Sequence, residues 1–255
     1  MSTKIICIAN LNGGVGKTAI ATCLAHSLSD KGGRVLLIDP HPQGQSAIAL
    51  GRSPEPGVFY LLTMGMSQQE TNFINSWVFY SGREGLHILP GDQQTMAAQT
   101  VLSAQDKPVP AIRQTVSRFF KEGPYILFDT APSVGGTLRE ERTVWASDLV
   151  IVPTATEFLS ADGVGKVLGI MSILPTCYDE QTCESKATIE DLEQRFASRL
   201  LPPIHCSTLL REWAARGRTI FEMNELCRAA KGIPGIGANR VEVLGGQDEQ
   251  TPFPL

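Results

Sequence analysis

The sequence predicts an α/β fold: a mostly parallel, twisted sheet with helices on both faces. Three observations carry this. Short apolar runs rich in β-branched residues recur along the chain, separated by segments of helix length. A glycine-rich turn joins the first of these runs to the first helix. A phosphate-loop motif and two aspartates all fall at the carboxyl ends of such runs, the edge where open α/β sheets bind ligands.

The runs, in order, are Lys4 to Ala9, "RVLLID" to Asp39, "GLHILP" from Gly85, "YILFD" to Asp129 and "LVIVP" from Leu149. Each is short and apolar on both sides, as a strand buried between two helical layers must be. Lys17 to Lys31 reads as a helix: Ile20, Leu24 and Leu28 repeat at four-residue spacing, and Gly32-Gly33 ends it. Helix-length segments follow at Thr95 to Ala104 and Ala111 to Lys121, with helix signals at Gly163 to Leu174 and Ile189 to Leu201. Right-handed crossovers place the strand carboxyl ends on one edge. One domain over 1–255 is expected. Its last ~25 residues are expected to be irregular, because "GIPGIGANRVEVLGG" carries too much Gly and Pro for a long helix.

A chain of 255 residues can bury a sizeable core without staples. A net charge of -4 excludes a general polycation, so any nucleic-acid contact must come from a local patch. Cys7, Cys23, Cys177, Cys183, Cys206 and Cys227 form no C-x-x-C pair, which argues against a zinc ribbon and for reduced thiols. The start passes from strand directly into loop without a cleavable apolar region, and no apolar run reaches membrane-spanning length. A cytoplasmic protein with no membrane contact is expected.

The stretch Gly13-Gly14-Val15-Gly16-Lys17-Thr18 is a variant phosphate loop. Glycines let backbone N–H groups turn toward phosphate oxygens. The helix beginning near Lys17 points its positive end at them. Lys17 adds a mobile charge, and the Thr18 hydroxyl can ligate Mg²⁺. Asp39 and Asp129, each closing a strand, can hold that ion through water; the alternative for both is helix capping or turn chemistry.

With "NGGVGKT", "DPHPQGQ" and "DTAPS" in order, the chain resembles the ParA/Soj partition ATPases, the deviant-Walker relatives of MinD. "GLHILPGDQQ", "VIVPTATEF" and "ILPTCYDEQT" extend the resemblance to about residue 225. It implies ATP and Mg²⁺, with the nucleotide cradled by Gly13 through Ala19 and the metal by Thr18, Asp39 and Asp129. It also implies an ATP-dependent sandwich homodimer, nonspecific DNA binding, and a ParB-like or other adaptor that stimulates hydrolysis and carries a plasmid, chromosome or other cargo. Such a protein is expected to associate with the nucleoid.

Two departures bear on hydrolysis. The family's signature lysine, which reaches the partner's phosphates, is Asn12 here. A neutral hydrogen bond is worth about 0.5–1.5 kcal/mol against about 1.5–3 for one to an ion. Lys166 and the arginines of "LREERT" are possible substitutes. The family's second aspartate, which orients the attacking water, is His41, which could act as a base or fill the space. ATP binding with weak hydrolysis is therefore expected, the catalytic set being Lys17 and Asp39 with Asn12 and His41 degenerate. The alternative is a nucleotide-bound scaffold that does not hydrolyse; a MinD-like membrane ATPase fits the tail less well. "IHC", Ile204 to Cys206, replaces the "IPR" often found near the purine. Arg195, Arg199, Arg211, Arg216, Arg218, Arg228, Lys231 and Arg240 make the C-terminal third locally basic, the expected DNA surface.

Overall fold

The computed structural model describes residues 3–10, 12–64, 67–105, 111–119, 125–131, 143–156 and 171–236. The strands are β1 Lys4–Ile8, β2 Val35–Ile38, β3 Phe79–Arg83, β4 Leu86–Leu89, β5 Tyr125–Asp129, β6 Leu149–Ala155 and β7 Met171–Thr176. They form one seven-stranded sheet in the order β3-β4-β2-β5-β1-β6-β7. Every pairing is parallel except β3 with β4.

The α-helices bounded within the described residues are α1 Lys17–Asp30, α2 Gln45–Ala49, α3 Gly57–Thr63, α4 Gln68–Asn75, α5 Gln94–Gln105, α6 Ala111–Phe119, α7 Cys183–Phe196, α8 Leu209–Glu212, α9 Ile220–Asn224 and α10 Arg228–Ile236. Alternation along each strand sorts the core into two layers. Ile6, Ile8, Leu37, Leu127 and Ile151 pack with α1 and α10 on one face. Ile5, Cys7, Leu36, Ile126, Phe128 and Val150 pack with α3 to α7 on the other. The predicted fold class is what the structure shows.

Several elements differ from the sequence reading. β3 escaped notice because its residues "FYSGR" alternate in burial and face one solvated side, as the antiparallel edge of a sheet does. The helix signal at Gly163 to Leu174 lies partly outside the described residues, and its last four residues belong to β7. Ile173 and Leu174 point into opposite core layers, so this apolar run is a doubly buried strand, which spacing alone does not separate from a helix. The signal at Ile189 to Leu201 is α7, which starts earlier at the Thr182 cap and ends at Phe196. Lys121 is outside the described residues. Of the tail expected to be irregular, Gly232 to Ile236 complete α10, with Pro234 inside the helix, and residues 237–255 lie outside the described residues. Ala229, Ala230, Ile233 and Ile236 are buried against the α1 layer, so packing of one apolar stripe overrides poor propensity.

Pro153 sits within β6 at a position that β1 has already left, since the β1–β6 register ends at Ile8↔Ile151. Its missing N–H therefore interrupts no ladder bond to β1.

Candidate functional site

The phosphate loop connects β1 to α1. Gly14 and Gly16 have φ of 78° and 86°, in the left-handed region that favours glycine, and Gly16 is the residue from which α1 starts. A β-carbon at Gly13, Gly14 or Gly16 would meet nothing within 4 Å, so open space lies beside each of these glycines. The first intrahelical bond runs from the Ile20 N–H to the Gly16 carbonyl at 2.9 Å. The N–H groups of Lys17, Thr18 and Ala19 thus lie ahead of the helix's own ladder.

Side chains outside the motif hold the loop in place. Asn10 Nδ2 donates to the Pro153 carbonyl at 2.6 Å, and Asn10 Oδ1 accepts from the Asn12 N–H at 2.9 Å. The Thr176 hydroxyl, at the end of β7, donates to the Val15 carbonyl at 3.1 Å. Lys17 is buried, and its ammonium donates to the Asn12 carbonyl at 2.6 Å. Lys17 and Asn12, two of the residues predicted from sequence, are therefore in direct contact.

Asp39 and Asp129 are brought together with Thr18 beneath this loop. Asp39 is fully buried and accepts three backbone N–H groups: His41 at 3.1 Å on Oδ1, and Ser46 at 2.8 Å and Ala47 at 3.3 Å on Oδ2. It thereby caps the start of α2. The Ser46 hydroxyl donates to Asp129 Oδ2 at 2.8 Å, while Asp129 Oδ1 is buried without a hydrogen-bond partner. Burial, then the Asp129 charge, pushes the Asp39 carboxyl well above its usual range despite the three N–H donors. Burial likewise lifts Asp129 to about 6; the Thr18 and Ser46 hydroxyls and the Lys17 charge pull it down without overcoming desolvation.

His41 has a definite structural task. Its Nδ1 accepts the Gln43 N–H at 3.1 Å, and its carbonyl accepts the Gly44 N–H at 3.0 Å. This is the bond to the second residue on that an aspartate or asparagine makes in an Asx turn. The turn is pressed against the end of β4. A β-carbon on Gly91 would lie 2.2 Å from the Asp39 carbonyl oxygen, and one on Gly44 2.7 Å from the Gly91 carbonyl oxygen.

Ser46, Asn10 and Thr176 were missed in the sequence reading. Ser46 had a usable signal, being the first serine after the turn glycine Gly44. Thr176 acts on a carbonyl far away in sequence and carried none; Asn10 also reaches a distant carbonyl, and its one local contact is the bond from the Asn12 N–H.

At "IHC", Tyr178 and His205 face each other with ring centroids 5.3 Å apart, and Cys206 is exposed. Among the predicted DNA-facing arginines, Arg195 pairs with Asp191, Arg216 with Glu212 and Arg228 with Glu180. Pro132, Ser133, Arg139, Arg142, Lys166, Arg240 and the Arg211 side chain lie outside the described residues. All six cysteines are free, and Cys7 and Cys23 are buried. Among the described residues no cluster of three His, Cys, Asp or Glu side chains could hold a metal, and no helix is long and apolar enough to cross a membrane.

A phosphate loop between strand and helix, with two aspartates at the adjoining strand ends, defines a P-loop nucleotide-binding α/β protein. A family model described as an AAA domain matches residues 3–181. The chain is 27% identical over 215 residues to the chromosome partitioning protein ParA of Caulobacter vibrioides, covering 77% of this chain and 78% of that one. It is 28% identical over 233 residues to the chromosome-partitioning ATPase Soj of Thermus thermophilus, covering 85% and 87%. Among solved structures, an aspartate-to-alanine variant of Cyanothece McdA in complex with ATP matches with a TM-score of 0.75 at 20% identity, over 98% of this chain and 99% of that one. MinD of Pyrococcus horikoshii with Mg-ADP matches with a TM-score of 0.72 at 18% identity, over 96% and 98%. The chain belongs to the AAA-domain family matched over residues 3–181 and, within it, is similar to the ParA/MinD-type partition ATPases.

Proposed function

We propose that this chain binds Mg-ATP, forms a nucleotide-dependent sandwich homodimer on nonspecific DNA, and positions a cargo through an adaptor protein while hydrolysing ATP weakly. The single observation that carries the site is Asp129 Oδ1: a buried carboxylate oxygen without a partner, beside Asp39, Thr18 and Ser46 and under a glycine loop with open space beside it. Such an oxygen costs about 1–3 kcal/mol or more unless a donor or cation satisfies it. The donor set, oxygen atoms only, suits Mg²⁺ held partly through water.

Thr18, Asp39 and Asp129 would hold the metal. The N–H groups of Gly13 to Ala19 and the Lys17 ammonium would hold the phosphates. Bound there, Mg-ATP supplies a terminal phosphoryl group that water can attack. Lys17 must exchange the Asn12 carbonyl for phosphate, which opens the loop's present internal bond. Asn12 brings no charge toward a second protomer, so it stabilises the charge spread over a transferring phosphoryl less than a lysine would.

His41 favours weak hydrolysis. With Nδ1 accepting from Gln43, the neutral ring carries its proton on Nε2. It can take a further proton only at Nδ1, by giving up the turn bond, so it is poorly suited as a base. The same observation supports the scaffold reading, in which the dimer holds ATP without turnover. The relatives named ParA and Soj and the neighbours McdA and MinD support the positioning role. We place the protein in the cytoplasm at the nucleoid, acting as one domain.

The test is ATP turnover with and without random-sequence DNA, together with dimer mass by light scattering. Slow turnover with an ATP-dependent dimer is the expected outcome. Tight ATP binding with no turnover selects the scaffold. No ATP binding overturns both.

A further inference from the structure

Two loops distant in sequence meet backbone to backbone at the surface. Gly51 follows α2 and Gly217 precedes α9, with φ of 76° and 60°. A β-carbon on Gly217 would lie 2.7 Å from Gly51 Cα, and one on Gly51 3.3 Å from the Gly217 carbonyl oxygen. The contact is fixed from beneath by buried Arg83. Its guanidinium donates to the Leu50 carbonyl at 3.1 Å, the Gly217 carbonyl at 3.0 Å and the Ser81 carbonyl at 3.1 Å, and to Glu222 at 3.0 and 2.6 Å. A planar fork of five N–H groups is suited to tying two loops in this way.

Each loop carries an exposed arginine beside its glycine, Arg52 and Arg218. Neither forms an ion pair among the described residues. Glu222, the acid nearest Arg218 along the chain on its C-terminal side, is occupied by Arg83 and by the Thr219 N–H at 2.6 Å. Arg216 meets Glu212 only at 3.4 Å, with both side chains more than half exposed. Such a pair is weak and yields readily to phosphate.

We infer that residues 51–52 and 216–218 form one surface that contacts the phosphates of DNA, with Arg52 acting beside Arg216 and Arg218. This rests on the DNA-binding reading above and extends it to a residue of the N-terminal half. Arg83 and the paired glycines hold both backbones together, so the guanidinium groups reach one polyanion with little ordering cost. Contacts of this kind position a duplex without reading its sequence.

The experiment measures binding of the full-length protein with Mg-ATP to a random-sequence duplex across a salt series. Arg52→Ala and Arg218→Ala are each expected to weaken binding about five- to tenfold and to reduce the log–log salt slope by about 0.9, equally for unrelated sequences. The double variant is expected to lose about twice that slope, and Arg52→Lys to restore most of it. Thermal midpoints should stay unchanged, because both side chains are exposed. A parental slope in Arg52→Ala overturns the surface and leaves the DNA reading standing. A parent protein that shows no salt-dependent DNA binding overturns both. So does capture by vesicles of anionic phospholipid in place of DNA.

Discussion

The buried Asp39–Asp129 pair makes the nucleotide-free protein less stable than it could be, and Asp129→Asn tests this. Burial raises Asp129 from an ordinary value to about 6. A carboxyl whose folded pKa lies above its unfolded value destabilises the fold as pH rises through the interval between the two, because the unfolded chain gives up the proton first. With an unfolded value of about 3.9, the penalty is about 3 kcal/mol at pH 7, about half that at pH 5 and below about 1 kcal/mol at pH 4. The attraction of Lys17 is already contained in that shift. Asparagine keeps the acceptor for the Ser46 hydroxyl and removes the charge. Urea denaturation without nucleotide should therefore show Asp129→Asn more stable than the parent by up to about 3 kcal/mol at pH 7, with the gain shrinking toward pH 4. With saturating Mg-ATP the order should reverse, because only the parent retains the full ligand set. A variant no more stable than the parent at pH 7, or a gain independent of pH, would refute the reasoning.

Three further outcomes are expected. Arg83→Met should cost about 1–3 kcal/mol in chemical denaturation, because it leaves the Leu50 and Gly217 carbonyls without their donor while Glu222, partly exposed, keeps its bonds from Thr219. His41→Asn should preserve stability by keeping an acceptor for the Gln43 N–H, while His41→Ala should lose about 1 kcal/mol in thermal or urea melts. Iodoacetamide at mildly alkaline pH should label exposed Cys183 and Cys206 first, and Cys7 and Cys23 only on unfolding; burial raises the Cys7 thiol and pushes Cys23 up to about 12.

The parallel sheet was legible because a strand covered on both faces is written as an uninterrupted apolar run, and five such runs stand between punctuating glycines and prolines. β7 was obscured by the same property: a short, fully apolar segment fits a buried helix equally well. β3 was hidden for the opposite reason, since an edge strand with a solvated face looks like loop. In the site, Gly13 to Thr18 and both aspartates announce themselves through types and spacing. What they touch was not legible. That Asp39 caps α2, that Ser46 ties it to Asp129 and that His41 serves as a turn acceptor all depend on which backbone N–H comes within reach. The sequence reading posed His41 as base or filler, whereas its ring nitrogen is engaged in a bond that neither description contains.

The placement of β1 in the sheet has a consequence for how the chain is made. Its neighbours are β5 and β6, so Lys4 must find Tyr125 and Ile6 must find Leu149. Synthesis at about 5–20 residues per second separates the first pair by roughly 6–25 s. Through that interval the strand leading into the phosphate loop has α1 to pack against but no native strand beside it. Contacts this distant in sequence also slow the search once the chain is complete. The nucleotide site is thus encoded first and assembled late, and a nascent chain stalled before residue 125 should bind no nucleotide.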